Sequence, residues 1–297
     1  MNEQTRYLDF AAASAVHTTM PPHEPGAYTS TTEPFTIGIS FTGHAKAVID
    51  DGSGRSAERT FAPGTCAING PNAIKWLRVA EPSEALEIQP SARVRASVSE
   101  ELGADWQQYK EFVQTEYDPI IWAVCARFRM AAFGATPLTD LEVDALVHNL
   151  VVHVAVRYLG ARAPKRVRGR LDARRLARVT ALIDGSLDDP PSLRDMADAA
   201  AMSPFHFQRL FRATTGLTPH AYATARRMER ARRILIGSRA KVAYVAAELG
   251  FSDLAHFRRA FRRQFNGTPR SYGPSRPSGQ SKQSDADAKS CGYPGLA

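Results

Sequence analysis

The side chains most able to do chemistry in this 297-residue sequence fall in two short stretches about fifty residues apart. The first carries Phe205, Gln208, Arg209 and Arg212, and the second carries Leu254, Ala255, Arg258, Arg259, Arg262 and Arg263. Their chemistry is recognition rather than bond-making. An arginine fork matches the O6 and N7 acceptors of guanine, a glutamine amide matches adenine, and an apolar side chain packs on a thymine methyl. Arginines that miss the base edges meet phosphate oxygens instead. Phe205, Gln208, Arg209, Arg258 and Arg259 are therefore candidates for reading bases, and Arg212, Arg262 and Arg263 for holding phosphates. Any one of these arginines could equally serve only to solvate a helix face. His206 and His256, at the margin of the apolar side, fit packing or phosphate contact better than base reading.

Catalytic chemistry finds no comparable support. The sequence holds no nucleophile elbow, phosphate loop or HExxH motif, so an enzyme with a DNA-binding appendage has no residues to rest on. His148 and His153 are five apart, which turns them about 140° from one another on a helix and off the shared face of an i, i+4 metal pair. They read as core or interface histidines. His23 and His44, with Asn72 after the Gly70-Pro71 turn, do not form a metal-binding cluster. No catalytic residue, metal or cofactor is expected. Cys66, Cys125 and Cys291 are odd in number and far apart, which fits reduced thiols. No apolar run reaches the roughly 18–20 residues of a membrane span. The opening Met1-Asn2-Glu3-Gln4 has neither the basic nor the apolar region of a secretion signal, so a cytoplasmic protein is expected.

The elements that must position the recognition residues are written as an internal repeat. Leu193, Met196, Ala197, Ala200 and Met202 match Val242, Val245, Ala246, Leu249 and Phe251 at an offset of 49. From His206-Phe207 against His256-Phe257 the offset is 50, and it continues through Thr218, Pro219 and Tyr222 against Thr268, Pro269 and Tyr272. One residue is thus inserted between the two helices of the second copy. In each copy a short amphipathic helix, with apolar residues at i, i+3, i+4 and i+7, leads into a break and a second helix. Ser203 before Pro204 suits an N-cap with proline at N1, and Ser252 or Asp253 can cap the second copy. Phe207, Leu210 and Phe211, and then Phe257, Ala260 and Phe261, form the inner faces. The recognition residues lie opposite. Between the copies, a helix from about Pro219 to Ile236, stopped by Gly237, would be roughly 27 Å long at 1.5 Å per residue. That separates the two units by a distance comparable with one DNA turn of about 34 Å. Charge agrees with this reading. Residues 161–273 carry 23 Lys+Arg against 9 Asp+Glu, leaving 15 against 21 elsewhere, and one-sided basicity suits a polyanion partner.

With Ala246-Ala247-Glu248-Leu249-Gly250-Phe251-Ser252, His256-Phe257, Ala260-Phe261-Arg262-Arg263, Phe265 and Thr268-Pro269 in place, the chain resembles the AraC/XylS family of transcription regulators. The resemblance covers about a third of the chain. It implies a double helix-turn-helix binding double-stranded promoter DNA, with base-contacting positions at Phe205, Gln208, Arg209, Leu254, Ala255, Arg258 and Arg259. It also implies a small-molecule effector, contact with RNA polymerase and a homodimer. Two positions depart from the pattern. Ala201 stands where the second copy has Gly250, and Asn266 precedes Gly267 where the family has glycine first. A left-handed alanine at 201 costs roughly 1–2 kcal/mol, and asparagine tolerates that conformation better.

The other half reads differently. From about Glu24 to Pro90 short alternating runs such as 35–41, 45–49 and 74–79 read as strands punctuated by Gly, Pro, Asp and Ser. The resemblance implies a cupin-like barrel here. An effector pocket is expected without assigned residues, Trp76 being one aromatic candidate. From Val98 to Gly160 the pattern turns helical, with Trp106, Tyr109, Phe112 and Val113 leading, and Leu146, Leu150, Val151 and Val154 fit core and dimer contact together. The expected class is α+β. Residues 1–160 form an effector-binding and dimerisation domain of cupin-like β-barrel plus helices, 161–170 a basic linker, and 171–273 the all-α double helix-turn-helix domain. Residues 274–297 read as a disordered tail. A transcription regulator is the function this points to, with an architectural DNA binder lacking an effector as the alternative.

Overall fold

The computed structural model describes residues 4–26, 30–52, 54–103, 113–115, 117–162 and 169–272. The expected tail, most of the linker, and Trp106, Tyr109 and Phe112 lie outside these. The first half is built on two antiparallel sheets. One runs in the order β1 (Gln4–Asp9), β2 (Ala13–Met20), β9 (Ser83–Pro90), β4 (Ile37–Ser40), β7 (Cys66–Ile68) and β10 (Val113–Thr115). The other runs β3 (Ser30–Thr32), β8 (Ile74–Val79), β5 (His44–Asp50) and β6 (Ser56–Phe61). Alternation in β9 puts Leu86 and Ile88 fully inside, and Ile37 and Ile39 of β4 lie beside them in register. The sheets face one another across a small cavity, but among the described residues their ladders do not join into a closed barrel. The cupin-like expectation is corrected to that extent. β1, β2 and β10 also extend the sheet beyond the expected 24–90 stretch.

Three helices follow. They are α1 (Ala92–Leu102), α2 (Pro119–Ala132) and α3 (Asp140–Tyr158). Asp118 fixes the start of α2, accepting from the N–H groups of Ile120 and Ile121, from Tyr158 at 2.8 Å, and pairing with His153 at 2.7 Å. His148 pairs with Glu101 at 3.2 Å. The two histidines therefore serve separate contacts, in keeping with their wide angular separation. Leu146, Leu150, Val151 and Val154 are all buried within the chain's own core.

The basic third is helical throughout, with α4 (Ala173–Gly185), α5 (Leu193–Ala199), α6 (Pro204–Thr215), α7 (Pro219–Gly237), α8 (Val242–Glu248), α9 (Leu254–Phe265) and a short 3-10 turn at Pro269–Tyr272. Its core is not divided where the linker lies. A single apolar cluster runs from the first sheet through α2 and α3 into α4, α5, α6 and the start of α7, and the second copy closes a separate cluster around Phe257 and Phe261. The first helix-turn-helix unit packs directly on α2 and α3. Among the described residues, no helix is long and apolar enough to cross a membrane.

Candidate nucleic-acid interface

The repeat folds into two units with the same element order, α5–α6 and α8–α9. In the first, Ser192 and Asp195 close a reciprocal capping box at the start of α5. The chain then turns through Ala201, left-handed at φ 51°, and enters α6 at Pro204. In the second, Gly250 makes the same turn at φ 69° before α9. Alanine is thus held in the less favourable conformation, as the repeat alignment anticipates. Asn266, the other departure, is likewise left-handed at φ 51° and closes α9. The caps differ between copies. Ser203 occupies the N-cap position of α6 but its hydroxyl makes no capping bond, whereas Asp253 accepts from the N–H groups of Ala255 and His256. Those two N–H bonds hold the Asp253 carboxyl below its usual range, so the cap persists into mildly acidic solution.

Behind each second helix lies an aromatic wall. Phe207, Phe211 and Tyr222 pack ring on ring in the first unit, with Phe211 edge to face on Tyr222, and Phe257, Phe261, Phe265 and Tyr272 do so in the second, with Phe261 edge to face on Tyr272. Burial of these faces forces the opposite ones outward. Phe205, Gln208, Arg209 and Arg212 on α6 are exposed, Phe205 at 81%. On α9, Ala255, Arg258, Arg259, Arg262 and Arg263 are exposed and Leu254 is half-buried. A large aromatic left in solvent at the start of α6 has no packing role to explain it. His206 is also exposed, and His256 lies 5.4 Å from the Phe251 ring. Two of the arginines are already engaged. Arg212 stands 3.4 Å from Glu142 of α3, and Arg259 is 3.7 Å from Asp253.

The units are joined by α7, whose 19 residues span about 28 Å at 1.5 Å per residue. Arg226 fixes it to α4 through Asp184 at 2.6 Å, and Arg227 donates to the carbonyl of Leu249, tying α7 to the second turn. A further set of charges was not anticipated from the sequence. Glu84 of β9, Arg129 of α2, and Glu229 and Arg232 of α7 form a buried cluster together with His17 of β2. Arg129 bonds Glu229, Arg232 bonds Glu84, Arg232 also reaches Glu229 at 2.8 Å and the Phe41 carbonyl at 2.7 Å, and His17 reaches Glu84 at 2.9 Å. Both guanidiniums lie against the rings of Phe41 and Phe265. Burial would drive the Glu84 carboxyl upward, but Arg232, Arg129 and His17 overcome it and hold the group well below the usual carboxylate range. The cluster joins a sheet, α2, α7 and the end of α9. One signal for it was visible, since Arg127 and Arg129 interrupt an otherwise apolar run from Pro119 to Ala132, and a buried charge demands a partner.

Two helices, a tight left-handed turn, an aromatic interior and a basic exterior, all present twice, define a tandem helix-turn-helix domain. Residues 196–274 match the family model described as a helix-turn-helix domain. The chain is similar to the regulatory protein PocR of Salmonella typhimurium, 36% identical over 90 residues that cover 30% of each chain. It is also similar to the transcriptional activator RhaS of Escherichia coli, 37% identical over 98 residues that cover 33% of this chain and 35% of that one. The chain thus spans about a third of the length of these curated relatives. Among solved structures, an AraC-type regulator from Chromobacterium violaceum is 30% identical, with 33% of this chain and 88% of that one covered at a TM-score of 0.32. ToxT from Vibrio cholerae aligns over 88% of this chain and 97% of its own at 11% identity and a TM-score of 0.34. The double helix-turn-helix at residues 196–274 is of the AraC type and is similar to those of these transcription regulators.

Proposed function

We propose that this protein is a transcription regulator that binds double-stranded promoter DNA through α6 and α9 together. The observation that carries this reading is the duplicated outward face. Both second helices bury phenylalanines behind and leave arginines in front, on units spaced by a rigid helix. In this reading Phe205, Gln208, Arg209, Leu254, Ala255, Arg258 and Arg259 face base edges, and Arg212, Arg262 and Arg263 meet phosphates. The separation expected of base and phosphate contacts gives the test. Arg209→Ala should lower affinity by about 1–3 kcal/mol and relax selectivity at one base pair, whereas Arg212→Ala should weaken all duplexes alike and reduce the salt slope by about one. Fluorescence anisotropy on a selected duplex and its single-base variants, across a salt series, distinguishes the two. Equal, sequence-independent losses from both substitutions would contradict the assignment.

The sheet domain is proposed to sense a small effector in the cavity between its sheets. His44, Phe61 and Trp76 form an aromatic corner with ring centroids 5.3–5.7 Å apart, and Glu87 lies across from them. Burial lowers the His44 ring to about 4 and raises the Glu87 carboxyl to about 7, so His44 is neutral at neutral pH and Glu87 is held in its acid form to well above the usual carboxylate range, a lining that favours an uncharged ligand in mildly acidic solution. The buried Nδ1 of His44 has no partner among the described residues. The cavity holds about 50 Å³, room for little more than water, so a ligand must part the sheets to enter. A library of small uncharged metabolites should contain compounds that raise the melting temperature of the full chain, with the shift abolished in Trp76→Ala. Shifts that persist in that variant would place sensing elsewhere. Contact with RNA polymerase and pairing of two copies on DNA complete this reading by analogy with the family.

A further inference from the structure

The first turn of α3 is acidic, with Asp140 and Glu142, and it faces the basic side of α6. Glu142 places one carboxylate oxygen 3.4 Å from Arg212 and the other 3.8 Å from Arg127. Further along α3, Asn149 donates to the carbonyl of Ala213 at 2.8 Å, and Leu146 lies so near Gly216 that an added Cβ there would come within 2.9 Å of it. α3 and α6 thereby enclose a cleft of about 550 Å³, with Glu142 and Leu146 on one wall and Gln208, Arg209 and Arg212 on the other. The end of α2 does the same to the second unit. Phe133 and Ala135 share a cleft of about 540 Å³ with Arg258, Arg259 and Arg262. The corner between α2 and α3 thus borders both outward faces at once.

A major groove is about 12 Å wide and an α-helix with side chains about 10–12 Å, so a helix seated in the groove has a phosphate strand close along each flank. The flank of α6 that carries Arg212 is the flank that faces the acidic turn of α3. A phosphate arriving there meets the Glu142 carboxylate and finds Arg212 already paired. We propose that the α2–α3 corner is a built-in competitor for DNA, which holds Arg212 in an internal ion pair and occupies the space of one phosphate strand. Tight binding then requires the corner to withdraw. This inference rests on the DNA-binding reading above.

The test uses the full chain and a duplex selected by it, with affinity read by fluorescence anisotropy at fixed salt. Glu142→Gln removes the charge, and glutamine can still serve the capping box with Thr139. It should bind about 5–20-fold tighter than the unaltered chain, as expected when a competing charged contact is released. Asn149→Ala loosens the same corner without changing net charge and should tighten binding about threefold, the worth of one hydrogen bond. Glu58→Gln makes the same charge change on exposed β6 and should leave affinity unchanged. Equal affinities for Glu142→Gln and Glu58→Gln, or no gain from Asn149→Ala, would overturn the corner while leaving DNA binding intact. Failure of the unaltered chain and of Glu142→Gln alike to bind any duplex would overturn the DNA reading and the corner with it.

Discussion

Arg232→Ala is expected to destabilise the full chain by about 3–5 kcal/mol, because it strips the cation from a buried pair and leaves a carboxylate uncompensated. Arg232 is almost wholly inside, bonded to Glu84, to Glu229 and to the Phe41 carbonyl, so its loss orphans three acceptors at once. Arg129 remains near both glutamates, yet one guanidinium cannot neutralise two carboxylates. Arg233, one position on and exposed, provides the contrast, and Arg233→Ala should change stability by less than about 0.5 kcal/mol. Urea unfolding monitored by tryptophan fluorescence measures both. The sign of the pH dependence follows from Glu84. Its folded carboxyl lies below its unfolded value, so its contribution is fully present at neutral pH, declines once the pH falls below the usual carboxylate range, and is gone below the folded value in strong acid. A loss of less than about 1 kcal/mol in Arg232→Ala would mean that the cluster does not join the domains as described.

Gly250→Ala is the second large effect. The residue is left-handed at φ 69°, and a Cβ built on it falls 1.8 Å from the carbonyl oxygen of Asp188. The conformation alone costs alanine about 1–2 kcal/mol. The clash adds more, because the obstacle is backbone rather than a side chain that can swing away. The turn must open, and with it the angle between α8 and α9. Thermal unfolding should show a loss of at least about 2 kcal/mol, with affinity for a selected duplex falling more than tenfold. The converse substitution sharpens the comparison. Ala201→Gly, at the equivalent turn of the first unit, relieves the same strain and should gain up to about 1 kcal/mol. An unchanged melting temperature in Gly250→Ala would contradict this account of the turn.

The helical third was legible in the sequence because its signals are local. Periodic apolar residues, Asp253 at a cap, and Pro204 and Pro219 at N1 each act within one turn of helix, and the repeat at an offset of about fifty states the pattern twice. The outward position of the arginines followed from the same periodicity. The sheet domain was less legible. β2 reads Ala-Ser-Ala-Val-His-Thr-Thr-Met, whose small and polar residues hide an alternation that only pairing with β9 reveals. Whether the ladders close could not be read locally, since closure depends on strands far apart in sequence. The ion cluster showed only at Arg129, where charge interrupts an apolar run, and its partners were hidden for a related reason. Glu84 and Arg232 are 148 residues apart, and nothing near either one announces the other. A separation of 70 residues likewise hid the meeting of Glu142 on α3 with Arg212 on α6.

The central claim is that two unequal units read one face of a duplex, and selection of binding sites by the full chain from a random-sequence duplex library tests it most directly. Helices seated in successive major grooves predict two short sequence boxes with centres about 10–10.5 base pairs apart. The box read by α6 should carry more information than the other, because Phe205, Gln208 and Arg209 offer more varied contacts than Arg258 and Arg259. Enrichment of a single box, or of no sequence over the starting pool at any salt concentration, would contradict it.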